Sequence, residues 1–183
     1  MREDTEPAGP RAGRFSSSRE APNVGVAGES EQAFLLPDPV VPMSPSGAHR
    51  LGWAYWEEVE RTTRGLVSVR PTGGGVELRL LRTGPLLLSF GPPELEVRPT
   101  SVSCSYRILG GLLARAEGGV VTFAQERAGP WCLRTSIRGF LPRLGALPGR
   151  PRWTGFFYAQ VQARLHGFIG RRYVARLVGE ARR

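Results

Sequence analysis

Between Leu66 and Phe140 the chain alternates apolar and polar side chains, and turn residues recur too closely for a helix to fit between the runs. Val76, Leu78 and Leu80 alternate with Glu77 and Arg79, and Leu95 and Val97 with Glu94, Glu96 and Arg98. Val102, Cys104, Tyr106 and Ile108 alternate with Ser101, Ser103, Ser105 and Arg107. Val121 and Phe123 flank Thr122, while Leu133 and Ile137 stand among Arg134, Ser136 and Arg138. Turns fall at 71–74, 82–85, 91–93, 99–100 and 127–130, with a longer connection around Gly110-Gly111 and Gly118-Gly119. A parallel neighbour needs a crossover of about a dozen residues or more, so these strands must pair antiparallel. One greasy face and one wet face describe a sheet covered on one side.

Helical periodicity brackets this region. Leu51, Tyr55, Trp56 and Val59 share a face over residues 51–63, with Glu57, Glu58 and Glu60 on the other side and Gly65 beyond the end. The tryptophans Trp53 and Trp56 read as core anchors. After a proline-bearing loop over 143–152, a long helix is expected over 154–178. Its apolar stripe runs through Phe157, Val161, Leu165 and Phe168 and drifts to Tyr158, Ile169, Tyr173 and Leu177. Gly167 and Gly170 weaken this helix by about 1 kcal/mol each relative to alanine, which marks either a close approach to the sheet or a kink. The expected fold is α+β: a single antiparallel sheet of six to seven short strands packed on a long C-terminal helix, with a short helix before the sheet.

Residues 1–42 are rich in Pro, Gly, Ser and Glu and carry four arginines against seven acids. Without apolar periodicity they cannot offset the entropy of ordering, so a disordered tail is expected there and a single domain over 43–183. Only 33–36 and 40–41 are apolar enough to dock, as an extended piece or a sheet edge held by Pro37, Pro39 and Pro42. Folded-looking sequence begins just past Met43, which makes Met43 an alternative start of translation. No stretch approaches the ~18 to 20 apolar residues of a membrane helix, and the acidic, polar start has no signal-peptide core behind it. The expected location is cytoplasmic.

The formal charge of +9 invites a nucleic-acid reading, but every one of the 25 basic residues is arginine, a skew that fits GC-rich coding together with 24 glycines and 16 prolines. Distribution says more than abundance. Residues 131–183 hold 11 arginines against the single acid Glu180, whereas residues 1–130 hold 14 against 15 acids. Cys104 and Cys132 fall on opposite faces of the sheet by strand phase, so two free thiols are expected, Cys104 packed inside and Cys132 nearer solvent.

The same composition removes several chemistries. Asp4, Asp38 and Asn23 all lie in the tail and lysine is absent, so the folded part cannot build an aspartic dyad, a lysine Schiff base or an Asp-oriented triad. Gly73-Gly74-Gly75 precedes a strand where a phosphate loop needs a helix N-terminus, and reads as a hairpin turn. Glu94 and Glu96 are in phase with the wet face. His49 and His166 have no Cys or Glu at metal-ligand spacing, so neither a metal nor a cofactor is expected. His166, between Leu165 and Gly167, reads as a core or helix-face histidine, or as a polar group at a pocket wall.

An antiparallel meander followed by a long C-terminal helix, introduced by Gly139-Phe140-Leu141-Pro142-Arg143 and then Trp153 with its aromatic neighbours, resembles the helix-grip proteins of the START-like and polyketide-cyclase-like superfamily. The likeness spans roughly 50–178. It implies a sheet wrapped around the C-terminal helix, with an apolar cup beneath the helix for lipids, sterols or other hydrophobic small molecules. In that family a first strand precedes the short helices, and here only 34–41 could supply it.

Three functions follow, in order. The first is a non-catalytic binder of a small hydrophobic ligand, with Tyr106, Phe123, Phe157, Val161, Leu165, His166 and Phe168 around the pocket, and Tyr106 and His166 as polar handles. The second is an interaction module that contacts anionic surfaces, chiefly membrane headgroups, through Arg164, Arg171, Arg172 and Arg176, set against a merely solvated helix face. Nucleic acid ranks below lipid because no binding motif is recognised. The third is a cyclase-like or dehydratase-like enzyme with His166 or Tyr106 as acid or base; in the leading reading no residue is catalytic. Oligomeric state is not legible.

Overall fold

The period-two runs form strands that pair antiparallel throughout. The computed structural model describes residues 28–114, 116–141 and 152–183, and side chains over 30–114, 116–141 and 167–183. In chain order the elements are β1 (Gly28–Leu36), α1 (Pro45–Thr62), β2 (Val67–Thr72), β3 (Gly75–Leu80), β4 (Leu86–Phe90), β5 (Glu94–Arg98), β6 (Ser101–Gly110), β7 (Val120–Arg127), β8 (Trp131–Phe140) and α2 (Arg152–Ala181). They make one eight-stranded sheet in the order β1-β8-β7-β6-β4-β3-β2, with β5 also on β6. The fold is therefore α+β, with a helix before the main run of strands and a long helix after it. Among the described residues, no helix is long and apolar enough to cross a membrane.

β4 and β5 follow one another along the same edge of β6. Phe90 lies opposite Ile108 and Glu94 opposite Ser105, and Gly91 N donates to Arg107 O at 2.9 Å between them. Pro92 and Pro93 then lack the donors that would continue the ladder. In β5, Leu95 and Val97 keep the inward register opposite Cys104 and Val102, yet they are 41 % and 42 % exposed. The apolar run is not buried as its alternation suggests, because β5 is an edge with no further strand beside it among the described residues.

α1 begins six residues earlier than its periodicity shows. Ser44 caps it, its Oγ accepting from Gly47 N at 3.2 Å, and Pro45 opens the first turn with its φ already helical. Arg64 (φ 53°) and Gly65 (φ 78°) turn left-handed and end it.

The expected tail boundary at residue 42 is corrected by β1, which contains residues of that tail. β1 pairs with β8 over its length, Phe34 opposite Leu133 and Leu36 opposite Trp131, and Phe34 and Leu36 are buried in the core. The proline-rich link that follows is held by one fully buried amide from β7. Gln125 Oε1 accepts from Val40 N at 2.6 Å and Val41 N at 3.0 Å, while its Nε2 donates to Val41 O at 2.9 Å. The side chain thus satisfies three backbone groups that the prolines prevent a neighbouring strand from reaching. Residues 1–27 lie outside the described residues.

Gln125→Leu leaves those three groups without partners and should destabilise the fold by ~2 to 4 kcal/mol in urea unfolding. A chain started at Met43 loses β1 as well, and should unfold at lower urea than one started at Gly28. Equal midpoints for the two chains, with an unchanged Gln125→Leu, would contradict this role for β1.

Candidate functional site

The inner face of the sheet is covered first by α1. Ala48, Leu51, Gly52, Tyr55, Trp56 and Val59 recur at helical spacing and are all buried against β6 and its neighbours. Gly52 is the point of closest approach. A Cβ at that position would stand 2.7 Å from Cys104 Sγ and 2.8 Å from Tyr106 Oη, so only glycine lets the helix lie this low on β6. Beside it the Trp56 ring packs on Phe90 at 4.8 Å, Tyr106 at 5.3 Å and Phe123 at 5.8 Å, and Tyr55 packs on Phe123 at 4.6 Å and Tyr173 at 5.5 Å. Tyr106 and Phe123, expected to line a pocket, are interior members of this aromatic cluster under α1.

The described part of α2 packs on α1 and on β1. Ile169, Tyr173, Val174 and Leu177 face inward, and Tyr173 Oη donates to Leu51 O at 3.1 Å. Gly170 is the second close approach: a Cβ there would meet Gln32 Oε1 at 2.1 Å and Phe34 Cζ at 3.6 Å. This sets the helix phase and corrects the expectation for Phe168, which turns outward, is 45 % exposed, and carries the Arg172 guanidinium over its ring at 5.6 Å. Phe157, Val161, Arg164, Leu165 and His166 belong to α2, but their side chains lie outside the described residues.

The acidic side of α1, expected to be wet, is covered by α2. Glu58 is buried, accepting from Arg172 Nε at 2.7 Å and Thr62 Oγ1 at 3.0 Å, with Arg61 at 3.4 Å. Arg176 reaches Glu57 at 2.5 Å and Glu180 at 2.9 Å, and Arg50 reaches Glu57 at 3.1 Å and Glu180 at 2.6 Å. Partial burial works against the Glu180 carboxylate, yet Arg50 and Arg176 hold its pKa below the ordinary value. Two of the four arginines expected to meet anionic surfaces, Arg172 and Arg176, therefore hold the helices together, whereas Arg171 is exposed.

Beside the paired Glu58 carboxylate, the core under α1 holds phenols and a thiol that burial keeps neutral. Tyr55, Tyr106 and Tyr173 are all raised chiefly by desolvation. Burial pushes Cys104 up to about 11, against smaller opposing help from the Tyr106 hydroxyl and the Gly52 backbone. Trp56 Nε1 is buried without a hydrogen bond of ordinary geometry, although the indole lies near enough to Tyr106 to ease its ionisation slightly. Cys132 is also buried, which corrects the expectation of a thiol near solvent. It lies on the outer face opposite Leu35 and Glu126, beside the bridge that Arg134 makes to Glu31 and Glu126 at 2.6 Å each. Both thiols are free. Among the described residues, no three His, Cys, Asp or Glu side chains gather as metal ligands.

Register extends the inner face beyond α1. Val121 lies beside Tyr106 and opposite Ile137, Val76 opposite Phe90, and Leu78 between Val69 and Leu88, so all six continue the face that Tyr106 and Phe90 share with Trp56. Of these, Val69, Leu88 and Ile137 are only partly buried. Gly52 had a legible signal, a glycine on the apolar stripe four residues before Trp56. The burial of Glu58 and Gln125 had none, since both depend on partners distant in sequence.

Stability should fall at alkaline pH. The folded state keeps the Cys104 proton up to about 11 while the unfolded chain releases it near 9, so stability is intact below 9 and is lost as pH rises between the two values. The loss should be about 3 kcal/mol by urea unfolding. In Cys104→Ala the loss above pH 9 should be much reduced, leaving the part that burial of Cys132 contributes before the tyrosines take over above pH 10. An unchanged profile in that variant would contradict the assignment.

No known protein-family model matches this chain, and no curated protein sequence matches it.

Proposed function

We propose that this chain is a non-catalytic binder of a small apolar molecule, held between the inner face of the sheet and α2 on the side not occupied by α1. The observation that carries this reading is the apolar continuation of the inner face past the aromatic cluster, through Val69, Val76, Leu78, Leu88, Val121 and Ile137. Of these, Val69, Leu88 and Ile137 are only partly buried and offer apolar area to a ligand. The order of elements supports the helix-grip resemblance, because β1 supplies a strand ahead of α1, and a helix of 30 residues follows the meander. The reading places the protein in the cytoplasm and assigns no catalytic residue, since the core phenols and thiol are held protonated at neutral pH.

The α2 arginine surface is the weaker reading, because Arg172 and Arg176 are committed to Glu57, Glu58 and Glu180. Tyr106 as a general acid or base is weaker still, buried beneath Gly52 and raised far above neutrality.

Protein purified from its own host under native conditions should carry a co-purifying apolar molecule in mass spectrometry, released on denaturation. With 1-dodecanol as probe, binding should saturate at one molecule per chain. Ile137→Trp, which places an indole in the same space, should weaken it roughly tenfold. A mass equal to the polypeptide alone, together with non-saturable binding, would remove the reading.

A further inference from the structure

Two neighbouring connections bring together exposed leucines and arginines that neither the core nor the proposed ligand uses. Leu66 closes the turn from α1 into β2, and Leu80 and Leu81 open the turn from β3 to β4. Leu81 N donates to Leu66 O at 2.7 Å, and Leu80 pairs with Val67. The three side chains are 55 %, 36 % and 53 % exposed, respectively. Arg61, Arg64, Arg70 and Arg82 are exposed around them, with Arg70 Nη2 bonded to Arg82 O. Of the nearby acids, Glu58 is engaged by Arg172 and Arg61 and Glu77 by Arg79, while Glu60 accepts from Val69 N, which leaves Arg64, Arg70 and Arg82 without a carboxylate partner among the described residues. The cluster is thus apolar at its tips and positive at its rim.

Its backbone adds a second observation. Leu81 has φ 57°, in the left-handed region that disfavours a side chain of this size. Glycine would make the same turn without strain, so the leucine works against the fold and supplies only exposed apolar surface.

We propose that this end of the domain docks on an anionic lipid bilayer, with Leu66, Leu80 and Leu81 entering the headgroup–acyl boundary and Arg64, Arg70 and Arg82 contacting lipid phosphates. A bilayer satisfies both components at once. Leucine side chains gain by leaving water, and guanidinium groups pair bidentately with phosphate. A nucleic acid would leave the leucines wet. The surface is separate from α2 and does not depend on the ligand reading.

The test is co-sedimentation of the full chain with vesicles of phosphatidylcholine and phosphatidylserine, against vesicles of phosphatidylcholine alone. Wild type should bind the anionic vesicles at low ionic strength, ignore the neutral ones, and be released by salt. Arg64→Gln with Arg82→Gln should weaken binding roughly 30-fold, about fivefold per arginine. Leu81→Gly should weaken it roughly tenfold while its unfolding midpoint stays level or rises, since the strain is removed; a folding defect cannot then explain the loss. Arg171→Gln on α2 should bind as wild type. No binding by wild type, equal binding to both vesicle types, unaltered binding by the loop variants, or a comparable loss in Arg171→Gln would each overturn the proposal.

Discussion

The low seat of α1 on β6 is the contact on which the other helix and the interior depend. Because Gly52 has no side chain, the Cys104 thiol and the Tyr106 hydroxyl lie directly under the helix, which brings Tyr55 and Trp56 down among Phe90, Tyr106 and Phe123. Any larger residue would lift α1 and open that cluster. α2 then docks on a platform already in place, through Tyr173 to the Leu51 carbonyl and through arginine–glutamate pairs that run antiparallel along α1. Since Glu58 is buried, losing Arg172 would leave its charge to the longer Arg61 contact and the Thr62 hydroxyl; the pair is worth more as a constraint on helix placement than as a net stabiliser.

The sheet was the most legible part of the chain. Alternation from Val76 to Ile137 marks strands because burial on one face imposes a period of two, and short turns leave only antiparallel pairing. Failures occurred where a tertiary partner overrode local pattern. β1 reads as tail because its glutamates and the prolines that follow it are unfavourable alone; the strand is held by the β8 ladder and the link after it by Gln125, 84 residues from Val41. Glu58 reads as solvated because α2 is invisible from α1. The stripe on α2 was correct at Ile169, Tyr173 and Leu177 and wrong at Phe168, because Gly170 sets the rotation of the helix over Gln32 and Phe34.

This arrangement divides the interior into two parts. Under α1, aromatic rings fill the space and their polar atoms are neutral and enclosed, and Tyr106 and Phe123 belong to this packed cluster. Away from the aromatic cluster the same face continues as aliphatic side chains on β2, β3, β4, β7 and β8, some only partly buried. A ligand for this fold would meet that aliphatic half, and would be selected by shape and apolar area more than by hydrogen bonds. Under the docking proposal, exposed leucines and arginines at the α1–β2 and β3–β4 turns would give the domain a separate means of meeting the membrane, where such molecules partition.

The division itself is open to a direct measurement, methyl-resolved NMR during titration with 1-dodecanol. Signals of Val69, Leu78, Leu88, Val121 and Ile137 should shift together and saturate at one equivalent, while those of Leu51 and Val59 on α1 and of Val102 on β6 remain fixed. Shifts centred on Leu51, Val59 and Val102, with the first set unmoved, would contradict the account.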